Sequence, residues 1–149
     1  MLKKYKMGFD IWALVVFLII MIPNFIWSVV PAPNDILRTE SATKVIDTIG
    51  SIFRVLMTFT LCVFINPERK KLSFTKTIIA MICCCVIYYC CWVFYYLGVT
   101  NGMVILGLTI PPCMAFLFYA IDRRNYISII PIAIFTVCHI VFGVVNFII

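Results

Sequence analysis

Five apolar runs, each long enough to cross a bilayer, divide this chain and leave it few ways to fold. They cover roughly residues 9–30, 45–65, 77–98, 102–121 and 126–149. At a rise of about 1.5 Å per residue, a helix of about 20 residues spans a hydrocarbon core roughly 30 Å thick. Over all 149 residues, 64% are hydrophobic and only 12% are charged. Soluble domains are about half apolar and one quarter charged, and a chain of this length has no core large enough to conceal such an excess. The expected fold is all-α: an integral membrane bundle of five transmembrane helices, forming one domain over residues 1–149. No polar stretch is long enough to fold as a separate soluble module, and the expected location is the cell membrane.

The net charge of +6 is informative through its distribution. Lys3, Lys4 and Lys6 precede the first run; Arg69, Lys70, Lys71 and Lys76 lie between the second and third; Arg123 and Arg124 lie between the fourth and fifth. Cations in alternate connections predict a cytoplasmic N-terminus and an extracytoplasmic C-terminus. Aromatic placement agrees: Trp27, Tyr95 and Tyr96 fall at predicted outer ends, and Trp12, Tyr119 and Tyr126 near inner ends, as an interfacial belt requires. Because these cations are spread over three short connections, they do not form a nucleic-acid-binding patch. Arg123 and Arg124 read instead as an inner-surface anchor for anionic lipids. The first run has the basic start of a signal peptide, but it is too long, and Pro33 would follow a cut after Ala32. It is expected to persist as the first helix.

Short connections join the runs. PAPNDILRTESATK, residues 31–44, is the longest outer one, with Pro31 and Pro33 ending the first helix and Ser41 or Thr43 placed to cap the second. Asn66-Pro67 opens the longer inner connection, while VTNG (99–102) and DRRN (122–125) make tight hairpins. No internal repeat is visible, which argues against an inverted-repeat transporter within one chain.

Within this apolar frame, Arg54 is the most demanding residue. It lies about 14 Å below the outer end of the second run, and an arginine at a helix centre costs about 2.5–3.5 kcal/mol on insertion scales. Asp47, Ser51, Arg54 and Thr58 recur at spacings of four, three and four, so they form one polar stripe. Asp47 and Arg54 are two turns apart, a stretched distance for a direct pair, and Gly50 on the same side permits a neighbouring helix to approach closely. The fifth run carries His139, Gly143 and Asn146 in a similar stripe, and the first carries Asn24 directly after Pro23. Pro23 disturbs the carbonyl of Ile19, and Pro111-Pro112 those of Gly107 and Leu108. Such backbone is tolerated at membrane depth only where protein or a wet cavity covers it.

By depth, Asn24, Trp27, Asp47, Arg54, His139 and Asn146 all belong to the outer half. One reading makes them a ligand-binding pocket that opens outward, with Arg54 as the cation for a carboxylate, phosphate or lipid headgroup and the 31–44 connection as its cover. The other makes Arg54, Asp47 and His139 interhelical glue. Helical phase alone leaves both open. His139 is the lone histidine, so it reads first as a helix-to-helix hydrogen-bonding residue, and no metal site is expected. Cys83, Cys84, Cys85, Cys90 and Cys91 share one helix without chelating spacing, and all eight cysteines read as small packing residues. YYCCWVFYY, residues 88–96, reads as anchoring and packing rather than an aromatic cage.

In helix count and length the chain resembles, in outline only, the tryptophan-rich sensory or translocator proteins. Its tryptophans, Trp12, Trp27 and Trp92, do not reproduce that family's pattern, so no residue role is carried over. There is no P-loop, HExxH or G-x-S-x-G signature. Neither catalytic residues nor a cofactor are expected, since Asp47 and His139 alone make a poor acid–base set. The partners expected are the lipid bilayer, a small anionic or amphiphilic ligand to bind or translocate, and either a second copy or a larger membrane complex. Under that last reading the chain is an accessory subunit.

Overall fold

Each apolar run folds as one helix: α1 (Ile11–Val29), α2 (Lys44–Val63), α3 (Lys76–Tyr96), α4 (Gly102–Asp122) and α5 (Tyr126–Phe147). All five are long and apolar enough to cross a membrane. The computed structural model describes residues 5–69 and 71–149; Lys3, Lys4 and Lys70, three of the cations that bear on orientation, lie outside them. A short antiparallel pair, β1 (Lys6–Met7) with β2 (Phe64–Ile65), and one 3-10 turn, Ile36–Arg38, add to the five-helix plan among the described residues.

Helix ends follow local chemistry. Asp10, Thr75 and Asn101 cap α1, α3 and α4 by accepting from the N–H groups of Trp12, Ile78 and Val104. Thr43 occupies the cap position of α2, but its hydroxyl makes no cap bond and donates to Asp47 instead. Gly98 adopts φ +86°, and Val99 N–H returns to Phe94 O at 3.0 Å, which closes α3 two residues earlier than the apolar run suggests. α2 also stops early, at Val63. The last carbonyls of a helix have no partner inside it, and here the N-terminal segment supplies one: Gly8 N–H donates to Val63 O at 3.0 Å and Asp10 N–H to Cys62 O at 2.7 Å. Asn125 Nδ2 donates to Thr60 O and Phe64 O from the other side, at 3.0 and 2.9 Å.

α4 is the most buried helix. It packs along α3 and α5, α5 packs along α2, and α1 leans on α2, α3 and α4. Small residues set these distances. Gly50 of α2 faces Cys138 of α5, where a Cβ would lie 3.3 Å from that of Cys138, and a Cβ on Gly107 would come within 2.2 Å of Cys91 Sγ. Gly107→Ala should therefore destabilise the bundle by about 1–3 kcal/mol, despite a helix-propensity gain of about 1 kcal/mol. Cys91→Ala in the same chain should recover a good part of the loss, as read by thermal unfolding.

The carbonyl of Ile19, which Pro23 deprives of its helical donor, accepts from the Tyr89 hydroxyl of α3. The eight cysteines are all free thiols. Two expectations are corrected. Tyr95 and Tyr119 are 0% and 1% exposed, so they point into the bundle and form no part of an interfacial belt. Arg123 is 6% exposed, with Nε 3.5 Å from Asp10 Oδ2, and Arg69 bonds the same carboxylate. A buried ion cluster thus joins three segments where a lipid anchor was expected, and only Arg124 of the pair is exposed.

Candidate functional site

Arg54 is the eleventh of the 20 residues of α2, which places it at mid-helix. Its side chain is exposed and, among the described residues, makes no hydrogen bond or ion pair. Two cavities meet at it. A central one of about 100 Å³ is walled by all five helices, including Asn24, Tyr88, Trp92 and Thr109, with Leu37 of the 31–44 connection also in its wall. A groove of about 290 Å³ runs between α2 and α5, lined by Asp47, Gly50, Ser51 and Cys138. Arg54, Phe135, His139 and Phe142 line both.

The structure thus brings Asn24, Arg54 and His139 to one cavity and Asp47, Arg54 and His139 to the other. Asn24 Nδ2 donates to Tyr88 Oη at 2.7 Å, which fixes that end of the central cavity. His139 makes no hydrogen bond among the described residues. It stacks between Phe135, with centroids 5.1 Å apart at 16°, and Phe142, 6.3 Å apart at 6°. The expectation that it hydrogen-bonds a neighbouring helix is replaced by packing between aromatic rings. Asp47 does not pair with Arg54. Thr43 Oγ1, one turn above, donates to it at 2.9 Å, whereas Arg54 is two turns below, about 10.5 Å along the axis.

Trp27 and Asn146 line neither cavity. Asn146 ties α5 to the start of α2: its Nδ2 donates to Thr43 Oγ1 at 2.8 Å and its Oδ1 accepts from Ala42 N–H at 2.6 Å. Trp27 belongs to a cluster that the sequence reading passed over. Its Nε1 donates to Asp35 Oδ1 at 2.9 Å; Tyr95 Oη donates to the same oxygen at 2.9 Å, and Arg38 Nε to Oδ2 at 2.8 Å. Arg38 also lies over the Trp27 ring, 5.0 Å from its centroid. Burial raises the Asp35 carboxyl, but the bonds from Trp27, Tyr95, Arg38 and the Ala32 N–H outweigh it and hold the pKa below its ordinary 3.8. The available signal was Asp35-Ile36-Leu37, an acid followed by two large apolar residues in an otherwise polar connection. Both apolar side chains pack against the core, so the connection folds inward as a cover.

The arrangement sets one guanidinium among mainly apolar walls. Its polar groups include the guanidinium of Arg54, the Tyr88 hydroxyl and the buried indole N–H of Trp92. No cluster of three or more metal-ligating side chains occurs among the described residues. Protein-family models, curated proteins and solved structures give no match to this chain, so its role has to be read from the residues themselves.

Proposed function

We propose that this chain is a multi-pass membrane protein that binds a small anionic group in the outer half of its helical bundle, with Arg54 as the fixed cation and no covalent step. The observation that carries the reading is the guanidinium at mid-helix, with no counter-charge bonded to it among the described residues, opening on two cavities. Left in hydrocarbon it would cost about 2.5–3.5 kcal/mol, and a carboxylate or phosphate would supply both charge and forked acceptors. The interhelical-glue alternative needs Arg54 bonded to another helix, and no such bond is made among the described residues.

Orientation is part of the proposal. Lys6, Arg69, Lys71, Lys76, Arg123 and Arg124 belong to the end closed by β1 and β2, whereas Arg38 and Lys44 at the other end are ion-paired with Asp35 and Glu40. This distribution favours a cytoplasmic β1–β2 end.

In a thermal-unfolding screen of purified protein, alkyl carboxylates or phosphates should stabilise the parent, and Arg54→Gln should weaken their binding by about 10- to 100-fold, the worth of a charged hydrogen bond at roughly 1.5–3 kcal/mol. Equal stabilisation of parent and variant would defeat the proposal. Asp47→Asn should act in the opposite sense. It removes a like charge from the groove and should tighten anion binding by about three- to tenfold, less at high salt.

A further inference from the structure

The size and walls of the two cavities, taken with the proposed anion site, indicate what carries the anion and from where it arrives. A volume of about 100 Å³ holds only a few waters at about 30 Å³ each, well short of the roughly 300 Å³ at which pockets enclose a drug-sized molecule. The central cavity therefore has room for a headgroup alone.

The outer route to it is shut. Leu37 forms part of the cavity wall, and Asp35 holds the connection down through Trp27, Tyr95 and Arg38. Asn34 Nδ2 adds a bond to Gly98 O at 3.1 Å. The inner route is shut by the Asp10, Arg69 and Arg123 cluster and the β1–β2 pair. The α2–α5 groove gives a way to Arg54 from the side of the bundle. It is larger, at about 290 Å³, and α2, which forms one of its walls, also exposes the apolar residues Ile52, Val55 and Leu56 on the bundle surface. Gly50 keeps its floor low, and Ser51 lies exposed along it.

We infer that the ligand is an anionic amphiphile dissolved in the bilayer, which enters sideways between α2 and α5, sets its carboxylate or phosphate at Arg54 and leaves its chain in the groove and the surrounding lipid. The inference rests on the anion reading above. Asp47 lines the groove too, but its carboxylate is turned to Thr43 at the outer rim, so the headgroup meets Arg54 beneath it.

The test uses the full chain in nanodiscs of zwitterionic lipid, with oleate and dodecyl phosphate as probes and acetate and inorganic phosphate as their chainless counterparts. Oleate or dodecyl phosphate should raise the unfolding temperature in an Arg54-dependent way, and the chainless anions should not. Ser51→Trp, which narrows the groove and keeps the Arg54 charge, should weaken binding by about tenfold or more, while Asn34→Ala, which loosens the outer cover, should leave it within about threefold. If Ser51→Trp fails to fold, Ser51→Leu replaces it. A diazirine-bearing oleate should label residues 46–55 and 135–142.

Arg54-dependent binding of acetate or phosphate that is indifferent to the Ser51 variants would overturn sideways entry and leave the anion site standing, as would labelling confined to residues 31–44. Failure of all four probes to bind in an Arg54-dependent way would remove both.

Discussion

Asp10→Ala is expected to destabilise the protein by about 3–5 kcal/mol, the cost of breaking a buried ion cluster by removing one partner. Asp10 is 4% exposed; it accepts from the Trp12 N–H at the start of α1 and from Arg69, and it faces Arg123, itself 6% exposed, as an ion pair. Deleting the carboxylate removes a helix cap, the ion-pair partner of Arg69 and one of the charges that face Arg123. Asp10→Asn keeps an acceptor for the Trp12 N–H and should lose less. Unfolding by heat or denaturant in a fixed detergent measures the difference, and a loss below about 1 kcal/mol would mean that the cluster is solvated like a surface pair.

At the opposite end, Asp35→Ala should cost about 3 kcal/mol or more, because a buried donor left without its acceptor costs roughly 1–3 kcal/mol and Tyr95, Trp27 and Arg38 all lose theirs. The same carboxylate predicts a pH response. Its folded pKa is held below 3.8, so its contribution is fully present above that value and is lost as pH falls through the lower folded one. The stability advantage of the parent over Asp35→Asn should therefore be constant from about pH 7 to pH 5 and should shrink only below about pH 3.8. A gap that closes near pH 6 would assign the response to another group.

The helices were legible because one physical constraint dominates them. A run of about 20 apolar residues has few alternatives, and α1 to α5 follow the five runs to within a few residues at each end. Depth was legible for the same reason: rise per residue places Arg54 and His139 near mid-helix whatever their neighbours do. What neighbours do was not legible. Tyr95 and Trp27 have the composition of interfacial anchors, yet a single carboxylate in a connection turns both toward itself, and that choice depends on α1 and α3 standing side by side. Arg123 likewise reads as a surface cation until α1 and α4 bring it to Asp10. Helical phase could rank Arg54, Asp47 and His139 as one site, whereas only packing separates Asn146 and Trp27 from them.

The tethers of α1 carry a consequence for biogenesis. Its polar bonds run to Tyr88, Tyr89 and Tyr96 of α3 and, through Asp10, to Arg69 and Arg123. A ribosome makes α1 tens of positions before those residues, so α1 waits in an unfinished state until α3 and the end of α4 have emerged. Agents that retain nascent apolar helices should hold α1 until α3 and α4 follow it.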